Sequence, residues 1–180
     1  MIEKELWDKE KIFWQGFLKD LEVNTNFFTD FDADSTECDN FFRDHHIQLT
    51  GGMCRIVFIS DEHDTVIKID KSSTFNDTEI SVFKKAIEKN VEQYFCQCEI
   101  IDQKNDASIE LMEKIEPMED ACSEDSEDED FGSGDWVREN FLDAYDDLIT
   151  FIDNENINDI HIGNIGFKNN QLKILDFAGY

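Results

Sequence analysis

The sequence predicts an α+β fold, a small antiparallel sheet with one main helix followed by a short helical part. Three observations carry that prediction. Runs rich in β-branched residues, separated by polar turns, fill residues 46–115. Apolar residues recur near helical spacing at both ends of the chain and once between the runs. The composition then changes abruptly over 116–134, which parts the chain into 1–44, 45–115, the stretch itself, and 135–180.

Taken in order, residues 3–22 place Leu6, Ile12, Phe13, Phe17, Leu18 and Leu21 near one helical face. Residues 24–42 are rich in Asp, Asn and Thr and carry Phe27, Phe28, Phe31, Phe41 and Phe42, which reads as a loop pinned by aromatics. Ile47-Gln48-Leu49 leads into Gly51-Gly52. Arg55–Ile59 and Thr65–Ile69 flank the polar turn Asp61–Asp64 and read as a hairpin. Asp77, with Ile80, Phe83 and Ile87 beyond it, predicts a helix over 77–90. Tyr94–Asp102 and Ala107–Ile115 read as strands around Lys104-Asn105-Asp106. The acidic run to Asp130, closed by Gly132-Ser133-Gly134, repels itself and predicts a flexible linker over 116–134. A helix over 135–154 gathers Val137, Phe141, Tyr145, Leu148, Ile149 and Ile152, and two short strands then turn at Lys168–Gln171.

Composition narrows the function. Hydrophobic residues make up 40% of 180, with 16 Phe, which is enough to bury a core. The net charge of −27, from 43 acidic and 16 basic residues, argues against direct nucleic-acid binding by phosphate neutralisation and against an anionic membrane surface. It suits a protein partner with a basic surface. The charged N-terminus does not resemble a signal peptide, and no apolar run approaches the ~18 residues of a membrane span. Five cysteines without framework spacing (Cys96 and Cys98 stand one residue too close for a CxxC motif) point to reduced thiols and a cytoplasmic protein.

The chemistry-bearing residues lie at the end. Asp159, an Asn five residues on (Asn164) and a second Asp twelve after that (Asp176) form a phosphoryl-transfer pattern. A first carboxylate can orient an acceptor hydroxyl, while an amide oxygen and a second carboxylate are hard ligands suited to Mg²⁺. His161, between them, reads as a hydrogen-bonding residue of the loop.

Asp159-Ile160-His161-Ile162-Gly163-Asn164 is similar to the catalytic loop of the small-molecule branch of the kinase-like superfamily. Leu175-Asp176-Phe177-Ala178-Gly179 resembles its metal-binding Asp-Phe-Gly turn with one Ala inserted. The element order matches, so the chain resembles aminoglycoside-phosphotransferase-type and short phage-type kinase-like proteins over about 45–179. The resemblance implies a protein-kinase-like small lobe with a strongly truncated helical second lobe, and ATP and Mg²⁺ as cofactors. It implies Asp159 as the catalytic carboxylate and Asn164 and Asp176 as metal ligands. It further implies Gly51 and Gly52 over the phosphates, Lys68 on a phosphate with Glu79 as its partner, and Met112, within Glu110–Glu113, beside adenine.

Two function classes follow. One is an ATP/Mg²⁺-dependent phosphotransferase acting on a protein or small-molecule hydroxyl. The other is a catalytically weak kinase-like interaction protein, an inhibitor or nucleic-acid mimic whose acidic surface engages a basic partner. Apolar surface on a short second lobe also leads the reading to expect a partner chain or a homo-oligomer.

Overall fold

A computed structural model describes residues 1–30, 36–51, 55–118 and 131–178, with only the backbone at Thr29 and Asp30. Gly52, most of the acidic stretch and Gly179 lie outside those residues. The chain divides into two units, one of Ile2–Asp77 with Cys98–Lys114, the other of Thr78–Gln97 with the chain from Ile115 onward. No helix among the described residues is long and apolar enough to cross a membrane.

The first unit is built on a five-stranded antiparallel sheet of β1 (Ile47–Gly51), β2 (Arg55–Ser60), β3 (Thr65–Asp70), β4 (Cys98–Lys104) and β5 (Ala107–Glu113). Their order is β1-β2-β3-β5-β4. Side chains alternate across a strand, so the register sorts the sheet into two faces. Phe58 stands opposite Ile67, and Ile67 opposite Leu111, and these residues face one way. Against that face lies one apolar cluster, drawn largely from the first 42 residues.

The cluster is covered by α1 (Lys4–Asn24), α2 (Phe27–Asp30) and α3 (Thr36–Asp44). The buried stripe of α1 is Trp7, Glu10, Trp14, Phe17, Leu18 and Leu21. That stripe is rotated from the predicted one: Leu6 and Ile12 are exposed, and the two indoles take their place. A tryptophan buries more area than a leucine and needs a partner for its N–H, and both find one. Trp14 Nε1 donates to Thr65 Oγ1 at 2.8 Å. Thr65 Oγ1 donates to Glu10 Oε2 at 2.6 Å. Glu10 Oε1 lies 3.1 Å from His63 Nδ1, and the His63 ring stacks on Phe13 at 3.6 Å. The buried carboxylate of α1 is thus answered by the turn between β2 and β3.

The aromatic loop expected over 24–42 is corrected to two short helices. Asp, Asn and Thr favour loops by local hydrogen bonding, but Phe27, Phe28, Cys38 and Phe42 are all buried. Their burial outweighs the propensity.

The other face of the sheet, by alternation, carries Val66, Lys68 and Asp70 of β3 and Ser108, Glu110 and Met112 of β5. All six are buried. Asp70 closes β3 and opens α4 (Thr74–Lys89). Its Oδ1 accepts from Ser72 N–H and Ser72 O–H, each at 2.8 Å. Its Oδ2 accepts from the N–H groups of Phe75 (2.7 Å) and Asn76 (3.3 Å), so the carboxylate satisfies orphan donors of the helix. Asn76 Nδ2 in turn bridges the carbonyls of Lys68 (3.1 Å) and Ser108 (3.0 Å).

α4 starts earlier than the predicted 77–90 and turns a different stripe inward. Glu79, Val82, Phe83 and Ala86 are buried, whereas Ile87 is exposed. It ends at Asn90, whose positive φ of 58° is a left-handed cap.

The helix expected over 135–154 is broken in the second unit. It consists of α5 (Gly134–Val137), a π turn at Arg138–Leu142, and α6 (Asp146–Glu155). Ser133 Oγ caps α5 by accepting from Trp136 N–H at 3.3 Å. Arg138 donates both guanidinium arms to Asp153, at 2.8 and 2.9 Å. Those bonds hold the Asp153 carboxyl below its usual range.

Candidate functional site

Beyond α6 the chain makes the loop that carries Asp159, His161 and Asn164. Asn156 caps the helix in the left-handed region at φ 54°. Ile157, Ile160, Ile162 and Ile165 are then buried in succession. These anchors leave Asp159 and His161 half-buried between them.

A 3₁₀ turn at Ile162–Asn164 follows. His161 Nδ1 accepts from Gly163 N–H at 3.1 Å, which in the neutral ring leaves the proton on Nε2. That nitrogen stands 3.7 Å from Asp159 Oδ1. His161 is therefore a loop-ordering residue beside the carboxylate, as its position in the sequence suggests. Asn164 Nδ2 donates to the Asp159 carbonyl at 2.8 Å, so the amide is oriented and Oδ1 is its acceptor end.

Asn164 opens β6 (Ile165–Lys168), which pairs with β7 (Gln171–Ile174). Asn169 and Asn170, at φ 52° and 61°, turn the hairpin, the geometry that two-residue hairpin loops favour. The strand pair brings the chain back on itself: Leu175 N–H donates to the Asn164 carbonyl at 3.0 Å. Asn164 and Asp176, twelve residues apart in sequence, are thereby carried on neighbouring backbone.

The residue after Asp176 is locked. Phe177 is fully buried and meets Phe95 edge to face at 5.0 Å. Its N–H donates to Glu79 Oε1 at 3.0 Å. Glu79 is itself fully buried. β7 is further tied to Phe95–Cys96, where Cys96 N–H donates to the Ile174 carbonyl at 2.9 Å. The buried Lys173 ammonium donates to the Phe95 carbonyl at 3.0 Å.

Two glycine contacts at the site have no signature in the sequence. Ile162 N–H donates to the Gly132 carbonyl at 3.0 Å. A Cβ on Gly132, whose φ is 78°, would lie 2.8 Å from Ile162 Cγ2, and one on Gly134 would lie 2.9 Å from the Ile160 carbonyl oxygen. Gly132 and Gly134 therefore pack on the loop.

The remaining candidates belong to the sheet unit. Lys68 lies on β3, is buried, and stands between Val57 of β2 and Glu110 of β5 in register. Gly51 ends β1, and a Cβ there would collide with the Arg55 carbonyl oxygen. A tight approach of β1 to β2 thus accounts for this glycine by itself. Met112 sits inside β5 between Val66 and Cys98. The chain leaves the sheet only after Glu113, so all of Glu110–Glu113 lies within β5.

Asn164 and Asp176 offer one amide and one carboxylate oxygen. Among the described residues no three His, Cys, Asp or Glu side chains converge as a metal cage. That donor set suits an ion such as Mg²⁺, which takes one or two protein oxygens and fills its shell with phosphate and water. Comparison with protein-family models, with curated proteins and with solved structures gives no match.

Proposed function

We propose that this chain is an ATP/Mg²⁺-dependent kinase-like phosphotransferase acting on a protein or small-molecule hydroxyl. One observation carries the reading. The Asn164–Leu175 backbone bond, with the Asn164 amide fixed on the Asp159 carbonyl, draws the three spaced residues of the sequence into one local structure. Two further features support it. Lys68 is on the third strand of the sheet and is followed by a helix that carries Glu79, the placement that phosphoryl-transfer sites of this class use. The residue after Asp176 is held by that same glutamate.

Bound Mg²⁺ would neutralise developing phosphate charge, with Asn164 and Asp176 as its protein ligands. Asp159 orients the acceptor hydroxyl. The acceptor oxygen forms a bond to the γ-phosphorus as the bond to the ADP oxygen breaks, and the hydroxyl proton passes to Asp159.

Calorimetric titration with ATP tests this. Wild type is expected to bind in the presence of Mg²⁺ and Asp176→Asn to lose at least tenfold in affinity. Asp159→Asn is expected to bind as wild type does while ADP formation falls by about 10²–10⁴. Absence of binding at millimolar Mg²⁺-ATP overturns the reading.

A second reading, an interaction protein for a basic partner, is favoured by one surface of the second unit. Phe131, Trp136, Phe141 and Phe167 form a row with successive ring separations of 4.7, 5.6 and 6.3 Å. Phe167 is 48% exposed, and Asp135, Glu139 and Asp143 are exposed on the same segment. Carboxylates beside ring faces suit Lys or Arg side chains. Titration with a Lys/Arg-rich peptide at 150 mM salt should change the fluorescence of Trp136, and Trp136→Ala should weaken binding several-fold. Equal affinity in that variant excludes the row as a docking surface.

A further inference from the structure

We propose that His161 is the positioning residue of Asp159. One ring nitrogen caps the turn that carries Asn164, and the other presents an N–H that holds one carboxylate oxygen and leaves the second for the acceptor hydroxyl. The inference deepens the phosphotransferase reading and rests on it for the identity of that hydroxyl.

Burial alternates along this loop: Asp159 and His161 are half-buried, Ile160 and Ile162 buried. The two apolar side chains anchor the strip, and the two polar ones stand on its other side, as residues two apart do in extended chain. His161 itself is extended, at φ −137° and ψ 176°. Its Nε2 lies 3.7 Å from Asp159 Oδ1. Among the described residues no other basic side chain pairs with this carboxylate.

The first ring nitrogen decides what the second can do. Nδ1 accepts from Gly163 N–H at 3.1 Å, the role that Asn, Ser or Asp usually plays at the head of a helical turn. A nitrogen that accepts carries no proton, so the single N–H of the neutral ring is on Nε2, the edge toward Asp159. His161 is thus a donor to the carboxylate and not a second base. The ring keeps its proton while Asp159 takes that of the hydroxyl.

At 3.7 Å the contact is longer than a hydrogen bond. Catalytic hydrogen bonds are often long in an unliganded site and tighten when substrate arrives. Rotation of the Asp159 side chain closes the gap without moving the loop, whose backbone is already held. Asn164 Nδ2 donates to the Asp159 carbonyl, and Asn164 N–H to the His161 carbonyl, each at 2.8 Å. One rigid ring therefore ties the orientation of Asp159 to the turn that carries Asn164.

Two substitutions divide the roles of the ring. Asn offers an amide oxygen in place of Nδ1, and the longer Gln offers an amide N–H in place of Nε2. His161→Asn should keep the turn, with Tm and Mg²⁺-ATP affinity close to wild type, while kcat for ADP formation falls by about 10- to 100-fold. His161→Gln should lower Tm yet retain more of kcat than His161→Asn. Wild-type turnover in His161→Asn would reduce the residue to a cap and overturn the proposal. A second readout needs no nucleotide and no variant at His161 that folds well. In ¹⁵N spectra of histidine-labelled protein in mildly alkaline buffer, the His161 ring should show Nδ1 bare and Nε2 protonated. Asp159→Asn should shift that Nε2 signal more than those of His45, His46 and His63. The opposite tautomer, or an Nε2 signal indifferent to Asp159→Asn, overturns the pairing whatever ATP does. If the ATP titration fails, the phosphotransferase reading falls, and the ring signals still decide whether His161 orients Asp159.

Discussion

Trp14→Ala is expected to destabilise the sheet unit by about 3–5 kcal/mol, the range for truncating a buried tryptophan. The side chain is fully buried and meets Phe13 and Phe17 edge to face at 5.2 and 5.6 Å. Its loss leaves a cavity between α1 and the sheet. It also removes the donor to Thr65 Oγ1 and so loosens the hydroxyl that answers Glu10. In a chain of this size that corresponds to a fall in Tm of roughly 6–20 °C, measured by calorimetry. Thr65→Val separates the two contributions, because it keeps the volume but strips both polar partners. It should cost about 1–3 kcal/mol. A loss below about 1 kcal/mol for Trp14→Ala would mean that α1 does not pack on the sheet as described.

Gly166→Ala is expected to disturb the second unit most per atom added. The new Cβ would land on the Glu116 carbonyl oxygen and lie 3.0 Å from Ile115 Cδ1. Pro117 forms a bridge with Gly166 at the same place. Backbone cannot yield as a side-chain tip does, so either Ile115–Pro117 lifts off or β6 shifts. A cost of about 1–3 kcal/mol or more follows from overpacking. Because β6 begins directly after Asn164, the change should also raise hydrogen exchange at Leu175, whose N–H is bonded to the Asn164 carbonyl. Unchanged exchange there together with an unchanged Tm would refute the close approach.

The strands were the most legible part of the sequence, because β-branched runs broken by polar turns have one structural meaning. Even the Lys168–Gln171 turn could be read, since paired asparagines accept positive φ. Helix faces were less legible. The stripe of α1 turned on whether Leu6 and Ile12 or Trp7 and Trp14 went inward, and the area and hydrogen-bond needs of the indoles decided it. The break in 135–154 had no glycine or proline to announce it; a π turn inserts a residue without a compositional mark. The pattern of Asp159, Asn164 and Asp176 could be picked out because its spacing is local. Its supports could not be read, since Gly132 on Ile162 and Glu79 on Phe177 join residues 30 and 98 positions apart, the first through two backbone groups and the second through a side-chain carboxylate that accepts from a backbone N–H any residue could offer.

The contacts of α1 have a consequence for how the chain is made. Trp14 finds its acceptor 51 residues later and Trp7 finds Glu99 after 92. A ribosome adding about 5–20 residues per second takes several seconds to supply them. Throughout that interval the first helix carries two uncovered indoles and a row of apolar side chains on an otherwise charged cylinder. The helix is thus made well before the strands that seal it. It is the stretch that a holdase chaperone would capture, or that would self-associate if synthesis stalled before β4.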